Sequence, residues 1–344
     1  MHGGINDGTL IDFSISVNPF IPDFVKEALK ESVKYERMYT YVEWLEDEFR
    51  KKFGVDSVIV AGATEAFHII GWTFVKDAVV IIPEPNYTEY ERVARFSASK
   101  IVKIRVFQSE EDYFERIDKV IFEERKNSSR CVLITGNPNN PTGEYTDFSD
   151  FAKDIYKKYG KEVLIILDEA FIDFVPKDEQ FELCELDNLD NLIIVRTFTK
   201  ILGVPGVRIG YVKSRSFKEI FEKYRMPWGI GGSGYAVLKS LIENFDDYEA
   251  FLSESSEYFK KERERFKNFS FFNSKTNYLV IDVGDSEEFQ KFMHRNGLHV
   301  RTMEDFGMDG FVRVGLKDRV ANEKLRRLVE EWYFHRGVEE KTVR

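Results

Sequence analysis

The sequence contains the stretch Arg196-Thr-Phe-Thr-Lys-Ile-Leu-Gly-Val-Pro-Gly-Val-Arg-Ile-Gly210, in which one lysine follows two threonines and precedes an arginine. The amine of Lys200 can form an imine with an aldehyde if it loses its proton near neutral pH. A phosphate needs a cation and hydroxyl donors close by, and Arg208 and Thr197 can supply both. Taken alone, a lysine in an apolar segment is more often a surface residue with a buried aliphatic stem. The rest of the chain must therefore support the chemical interpretation.

Short apolar, β-branched runs alternate with segments of helical periodicity on both sides of this stretch. The predicted strands are residues 58–61, 78–82, 101–106, 131–135, 163–167, 192–195 and 208–212. The amphipathic segments between most of them are residues 65–75, 89–97, 113–124 and 148–159. Such alternation predicts an α/β fold with a mainly parallel, seven-stranded sheet and helices on both faces. Sheets of this kind place ligands at the carboxyl ends of their strands.

The regular alternation of predicted strands and helices ends at residue 235. A helix is predicted over 248–266, and an α+β region follows it. The elements predicted in that region are strands 278–282, 299–301 and 311–314 and helices 287–296 and 319–334. We therefore expect a large domain over residues 30–235 and a smaller domain formed by residues 1–29 together with 236–344.

Polar residues follow three of the predicted strands. Asp168, directly after strand 163–167, could hold a pyridine nitrogen protonated, although a turn or capping role is the simpler alternative. Asn140 lies in a loop dense in Asn and Pro, where its amide could donate to a phenolate-like oxygen or only stabilise a tight turn. Ala63 and Thr64 lie at a predicted helix N-terminus, whose free N–H groups and dipole suit a phosphate.

Composition narrows the class of protein. The 344 residues are 43% hydrophobic, and the 50 basic against 60 acidic side chains give a net charge of −10. No basic run stands out, which argues against a nucleic-acid partner. Cys131 and Cys184 lie in or near apolar stretches, as inert buried thiols do. The apolar runs are too short to cross a bilayer and no signal pattern precedes them, so we expect a cytoplasmic enzyme with no membrane partner. No metal site is proposed.

The polar segments, in this order and each after a strand, resemble the pyridoxal-5'-phosphate (PLP) enzymes of fold type I, the aspartate-aminotransferase-like fold, over nearly the whole chain. The resemblance implies that Lys200 carries PLP as a Schiff base and that Asp168 pairs with the pyridine nitrogen. It implies that the large domain binds the cofactor and that the smaller domain lies on the substrate side. The further cofactor-binding residues that it implies are Ala63, Thr64, Tyr87 (stacked on the ring), Asn140, Thr197 and Arg208.

Within this fold, the chain most resembles histidinol-phosphate aminotransferase and L-threonine-O-3-phosphate decarboxylase. This similarity implies a small phosphorylated amino acid or amine as substrate, with Arg313 on a carboxylate and Arg301 on a phosphate. Tyr39 resembles the residue that reaches the cofactor phosphate of a partner subunit, which implies a homodimer. It lies in Tyr39-Thr-Tyr41, where the family usually has Tyr-Pro.

Three details of the sequence favour the decarboxylase. His2-Gly-Gly4 and Asp12-Phe-Ser-Ile-Ser-Val-Asn-Pro19 resemble its motifs, and they make His2 and Asn18 candidates to hold the substrate phosphate. Phe171 stands where the aminotransferase usually has a tyrosine.

Three functions follow as hypotheses. The first is decarboxylation of L-threonine O-3-phosphate to (R)-1-aminopropan-2-yl phosphate on the cobalamin route. The second is a histidinol-phosphate aminotransferase or a related aminotransferase, and the third is a non-catalytic regulator that binds PLP. Retention of Lys200 argues against the third.

Overall fold

A computed structural model describes residues 3–5, 7–53, 57–107, 112–181 and 189–336 of the chain. The strands, in chain order, are β1 (Ile11–Asp12), β2 (Ser57–Val60), β3 (Val79–Glu84), β4 (Lys100–Arg105), β5 (Cys131–Gly136), β6 (Val163–Asp168), β7 (Leu192–Thr197), β8 (Gly210–Lys213), β9 (Tyr278–Asp282), β10 (Leu298–His299), β11 (Arg301–Thr302) and β12 (Phe311–Gly315). The α-helices are α1 (Asp23–Glu31), α2 (Glu43–Phe53), α3 (Gly62–Trp72), α4 (Thr88–Ala94), α5 (Tyr113–Arg125), α6 (Ser149–Tyr159), α7 (Lys218–Tyr224), α8 (Gly232–Glu243), α9 (Phe245–Arg265), α10 (Ser286–Arg295) and α11 (Arg319–Arg336).

The large sheet has seven strands in the order β2-β8-β7-β6-β5-β3-β4, which confirms the predicted α/β architecture. Strands β3 to β7 are parallel to their neighbours within that group, whereas β8 is antiparallel to both β7 and β2. The connection from β7 to β8, residues 198–209, contains no helix. Without a crossover helix the chain returns beside β7 in the opposite direction.

The central strands are continuous apolar runs because both of their faces are covered. Every residue of β5 and β6 is buried. Leu164 and Ile166 pack into one apolar cluster, and Ile165 and Leu167 pack into another on the opposite face. This is the pattern of a parallel sheet between two helical layers.

The helices form where capping residues and apolar spacing agree. At the start of α5, the Asp112 carboxylate accepts from the backbone N–H groups of Phe114 and Glu115, at 2.9 and 3.0 Å. Ile117 and Ile121, four residues apart, form its buried stripe. This helix thereby covers one face of the sheet and keeps its charged residues in solvent.

Two smaller sheets, of two and three strands, accompany the large sheet. β12 pairs antiparallel with β9 and β11, and β1 pairs parallel with β10, so that residues near both ends of the chain meet. One continuous apolar cluster joins Phe198 of the large sheet region to Leu279 of β9. The division at residue 235 therefore stays a prediction.

Several predicted boundaries shift by a few residues, as for α3 (Gly62–Trp72, predicted over 65–75), and two of the differences bear on arginines of the site. The strand expected at 299–301 is two strands in different sheets, because the N–H of Val300 donates to the Gln290 side chain and interrupts the ladder. The strand expected from residue 208 begins at Gly210, because Arg208 has a positive φ of 56° and cannot continue a strand. Both corrections concern arginines that line the site described below.

In the part of the chain that the structure describes, none of the helices has the length and apolar character needed to span a lipid bilayer.

Candidate active site

The carboxyl ends of β5, β6 and β7 open onto a cavity of about 320 Å³. This is the edge where a parallel sheet is expected to bind its ligand. Ten of the predicted site residues line the cavity, namely Ala63, Thr64, Tyr87, Asn140, Asp168, Thr197, Lys200, Arg208, Arg301 and Arg313. The fold thus gathers residues that lie up to 250 positions apart in sequence (63 to 313) into one site.

Lys200 lies in this cavity with an environment that favours its neutral amine. Burial, together with the nearby guanidinium groups of Arg313 and Arg208, lowers the pKa of Lys200 to about 8, while Asp168 acts in the opposite direction. A lysine with this pKa has a substantial neutral fraction at mildly alkaline pH. Such an amine is a competent nucleophile for an aldehyde.

Asp168 ends β6 and is buried beneath the cavity. Burial raises the pKa of Asp168 to about 6, although its two hydrogen bonds lower it in part. Tyr90 donates to Oδ2 at 2.8 Å, and the backbone N–H of Ala170 donates to Oδ1 at 3.1 Å. Above pH 6 this carboxylate is ionised and can stabilise a protonated ring nitrogen.

One end of the cavity provides donors for a phosphate. Helix α3 begins there after Ala61, whose side chain cannot cap it, so the first N–H groups and the positive end of the helix dipole face outward. The Arg208 guanidinium donates to Thr64 Oγ1 at 3.2 Å. Gly62 has a φ of +74°, and a Cβ at this position would lie 2.7 Å from Arg208 Nη2. Glycine is therefore favoured at position 62, where the backbone N–H groups of α3 and the Arg208 guanidinium together form the phosphate site.

Thr197 occupies the same end of the cavity. Its hydroxyl donates to the Ile209 carbonyl at 2.8 Å and lies 2.9 Å from Thr199 Oγ1. These bonds hold two hydroxyl groups beside the start of the connection that carries Lys200. The donors present thus fit an anionic cofactor with an aldehyde and a basic ring nitrogen, which is the chemistry that PLP presents.

Arg313 forms the opposite wall of the cavity. It is 7% exposed, and its guanidinium donates to Asn140 Oδ1 and to the Ser14 carbonyl, the latter at 3.3 Å. Its Nε has no hydrogen-bond partner within the described part of the chain. Because a buried donor without a partner is costly, this wall is suited to an anion from a ligand. Asn140 Oδ1 accepts from Arg313. The amide nitrogen of Asn140 is the atom that can donate to a cofactor oxygen.

Arg301 is the register partner of Arg313 across β11 and β12. Its guanidinium binds the Asp305 carboxylate, donates to the Thr302 carbonyl at 2.9 Å, and lies 5.5 Å from the centre of the Phe306 ring. Two cations on adjacent strands therefore face one cavity, but Arg301 already has a carboxylate partner.

Asn18 is a correction to the sequence prediction. Its side chain is 2% exposed and does not line the cavity. Its amide donates to the Ile201 carbonyl at 3.0 Å and to Ser255 Oγ at 3.1 Å. The Phe20 N–H donates to its oxygen at 3.1 Å. With these contacts Asn18 anchors the N-terminal segment, so the structure contradicts its expected role at the substrate phosphate.

Ser16, two residues before Asn18, lines the cavity that Asn18 was expected to line. It is 4% exposed, it lines the cavity, and its hydroxyl has no partner among the described residues. No pattern in the sequence separates Ser16 from Asn18, since both are polar and have the same parity in an extended segment. Gly3 also lines the cavity, and the Gly4 N–H donates to Ser14 Oγ at 2.7 Å. His2 lies outside the described residues.

Two other residues complete the comparison with the sequence. Tyr39 is 71% exposed, with its ring 4.7 Å from that of Trp228, and it does not line the cavity of its own chain. Its role toward a second subunit stays a prediction. Tyr90 was missed, although it lies on α4 three residues after the N-cap residue Tyr87, a spacing that brings the two rings within 5.6 Å.

The aminotransferase class I and II family model matches residues 10–331 of the chain. The chain belongs to this family. Family membership confirms the expected PLP cofactor and an enzymatic rather than a regulatory function.

Known proteins resemble the chain over most of its length. A protein of Caldanaerobacter subterraneus subsp. tengcongensis, named as a threonine-phosphate decarboxylase, is 32% identical over 92% of this chain and 89% of its own. The structure of a histidinol-phosphate aminotransferase from Clostridium acetobutylicum is 25% identical, with a TM-score of 0.80 over 95% of this chain and all of its own. The structure of the Sinorhizobium meliloti histidinol-phosphate aminotransferase, in complex with PLP, is 20% identical and shares the fold with a TM-score of 0.79 over 94% of this chain and 90% of its own.

Proposed function

We propose that the chain decarboxylates L-threonine O-3-phosphate to (R)-1-aminopropan-2-yl phosphate and carbon dioxide. The observation that carries the proposal is the 32% identity to the threonine-phosphate decarboxylase relative, against 28% to a histidinol-phosphate aminotransferase relative that matches 95% of the chain. The shared family alone establishes a PLP enzyme of one of these two kinds.

The two arginines support a substrate that carries two anionic groups. Arg313 is buried next to Asn140, with an unpartnered Nε, and suits a carboxylate held close to the cofactor. Arg301 lies farther along the same wall and suits the phosphate, for which it would exchange its Asp305 partner. L-threonine O-3-phosphate carries both groups, whereas histidinol phosphate has no carboxylate.

Phe171 supports the same choice. Its ring lines the cavity and packs edge-on against Tyr278, with ring centres 4.9 Å apart. A tyrosine at this position could donate a hydrogen bond to a cofactor oxygen, but phenylalanine cannot. The Asn140 amide is then the donor that remains for that oxygen.

The chain's own residues would select the bond that breaks. PLP, when bound, supplies an aldehyde for the substrate amine and a ring that accepts the electrons released at Cα. Arg313 and Arg301 fix the two ends of the substrate and so decide whether its carboxylate or its hydrogen stands perpendicular to the ring. Asp168 would hold the ring nitrogen protonated, and the Lys200 amine would deliver the proton that Cα takes up in place of the lost carboxylate.

We propose that the active form is a homodimer. Several large apolar side chains are exposed on one face, at Tyr39 (71%), Tyr41 (58%), Met226 (63%) and Trp228 (52%). A contiguous exposed patch of this kind marks an association surface. Light scattering on the purified protein should give the mass of two chains, and a monomer would contradict this part of the proposal. The cytoplasmic location stays a prediction.

The alternative is a histidinol-phosphate aminotransferase, which the TM-score of 0.80 to the Clostridium acetobutylicum structure favours. Two assays on the PLP-loaded protein separate the alternatives. We expect carbon dioxide release from L-threonine O-3-phosphate and no 2-oxoglutarate-dependent amino transfer from histidinol phosphate. The opposite result would replace the decarboxylase with the aminotransferase.

A further inference from the structure

A second cavity lies on the face of the large sheet opposite the cofactor pocket. It has a volume of about 390 Å³, and its walls include Asp173, Arg196, Tyr211 and Tyr248. Among the described residues, the side chains that line it are different from those that line the cofactor cavity. The ends of β6 and β7 therefore form a thin partition between two cavities.

Successive residues at these strand ends face opposite sides of the partition. Asp168 and Thr197 line the cofactor cavity. Their neighbours Glu169 and Arg196 meet on the other side, where Arg196 Nε lies 2.6 Å from Glu169 Oε2. Side-chain alternation places the two pairs on opposite sides, and because Glu169 directly follows Asp168 and Arg196 directly precedes Thr197, the ion pair acts on the same two strand ends that carry Asp168 and Thr197.

The ion pair is held by further contacts on both sides, with Glu169 buried and Arg196 partly exposed at the second cavity. Glu169 is 1% exposed, and the Arg196 guanidinium also donates to the Tyr211 hydroxyl at 3.4 Å. A main-chain bond from the Glu169 N–H to the Val195 carbonyl, 2.8 Å long, ties the same two strand ends. A buried ion pair is often no more stable than apolar residues of the same volume, so stability alone does not explain these charges.

We propose that Glu169 and Arg196 are a positioning pair that sets the distance between the two ends of the cofactor pocket. On one strand end, Asp168 holds the ring nitrogen, and on the other, Thr197 and Lys200 hold the phosphate and aldehyde ends. The pair acts through these residues and does not contact the cofactor. This inference rests on the cofactor pocket proposed above.

The test separates positioning from stability by replacing the pair with apolar residues. We expect Glu169→Leu/Arg196→Met to remain folded, with a melting temperature lowered only by the loss of the Arg196 charge beside the buried Asp173, since the Glu169 charge is removed together with that of Arg196. It should nevertheless bind PLP about tenfold more weakly, the size of coupling found within one network. The midpoint pH of the absorbance of the Lys200-linked cofactor should shift by roughly half a unit. Wild-type affinity and midpoint in this variant would overturn the proposal.

A control pair of similar exposure exists in α9, where Glu262 also binds Arg319 and Arg265 also binds Glu323. Arg265 and Glu262 have side-chain exposures of 22% and 1%, against 21% and 0% for Arg196 and Glu169, and neither lines the cofactor cavity. Glu262→Leu/Arg265→Met should leave the PLP affinity and the midpoint pH unchanged, whatever it does to the melting temperature. Equal shifts in both double variants would show a general loss of packing and would also overturn the proposal.

The second cavity offers a rescue experiment, because Arg196 lines it together with the exposed residues Lys177 and Asp178. Arg196→Ala leaves a guanidinium-sized space beside this cavity. Methylguanidine should restore the PLP affinity of Arg196→Ala and have no effect on Arg265→Ala. Restoration in both variants, or in neither, would count against a specific role of Arg196.

Failure of the pocket itself can be recognised separately. If Lys200→Ala retained the visible absorbance of bound cofactor, the assigned pocket would be wrong, whatever the Arg196 variants show. If Lys200→Ala loses it and the Glu169/Arg196 variants keep the wild-type values, only the positioning role fails.

Discussion

Two sides of the active-site cavity are built in different ways. The cofactor wall contains Asp168, Thr197 and Lys200, and the substrate wall contains Arg313 and Arg301. The cofactor wall comes from the ends of adjacent strands of the large sheet, where Asp168 is held by main-chain pairing of β6 with β7 and Thr197 by pairing of β7 with β8. The substrate wall joins Ser14 near the start of the chain to Arg313 near its end, 299 residues apart. The first wall is fixed by the sheet, whereas the second depends on packing between distant segments. Changes to the cofactor wall should therefore abolish function, and changes to the substrate wall should tune it.

The largest effect is expected at Lys200. Lys200→Ala removes the amine that reacts with the cofactor aldehyde, so the visible absorbance of the linked cofactor should vanish and turnover should fall to background. Absorbance spectra and carbon dioxide release measure both. Lys100→Ala, on the exposed strand β4, is the control and should behave as the wild type. Normal turnover by Lys200→Ala would remove the basis of the whole site.

The next effect concerns the two arginines of the substrate wall. Arg313→Ala should reduce kcat/KM for L-threonine O-3-phosphate roughly 100-fold, because it removes a buried charged donor. This corresponds to a loss of about 3 kcal/mol of transition-state stabilisation. Arg301→Ala should cost only about tenfold, since Asp305 already satisfies part of the Arg301 charge. Steady-state kinetics on both variants give the ratio. Equal losses would contradict the separate roles assigned to the two arginines.

A pH dependence links the two walls. Burial, Arg313 and Arg208 lower the pKa of Lys200 to about 8, so its neutral fraction increases with pH and levels off above that value. Covalent attachment of PLP to the apo protein should accelerate about tenfold per pH unit below this midpoint, because only the neutral amine reacts. Arg313→Met removes a positive charge and should move the midpoint upward. Stopped-flow absorbance measures the rate, and a wild-type midpoint near the ordinary lysine value of 10.5 would contradict the assignment.

The smallest effect is expected at Ser16. Its hydroxyl is buried without a partner among the described residues, so Ser16→Ala should stabilise the apo protein by about 1 kcal/mol. If the hydroxyl serves the substrate phosphate, the same change should raise KM several-fold. Ser57→Ala is a matched control, because Ser57 is also buried with an unpartnered hydroxyl but does not line the cavity. Melting temperatures and KM values should separate the two variants, and an unchanged KM in Ser16→Ala would leave the hydroxyl without a role in binding.

The contrast between the walls also explains what the sequence could predict. Lys200, Asp168, Asn140 and Thr64 were found because each follows an apolar run, and the ends of parallel strands must meet at one edge. The choice between Asn18 and Ser16 could not be made, because it depends on how residues 13–18 pack against the Lys200 connection and α9. The ion pair between Arg301 and Asp305 could not be predicted from the sequence either, because it depends on the conformation of the turn after β11. Local pattern locates residues on strands, whereas side-chain partners across distant segments need the tertiary structure.

The antiparallel return of β8 has a further consequence for Lys200 and Arg208. Both lie in the connection of residues 198–209, whose base is closed by the Phe198 N–H bonded to the Ile209 carbonyl at 3.2 Å. Because this loop is closed at its base, the number of residues inside it sets the distance between the Lys200 amine and the Arg208 guanidinium, which would bind the phosphate. Insertion or deletion of a single residue there would separate them even if every side chain were kept. Among related sequences, an alignment gap within this segment should therefore mark proteins that have lost this mode of holding the cofactor.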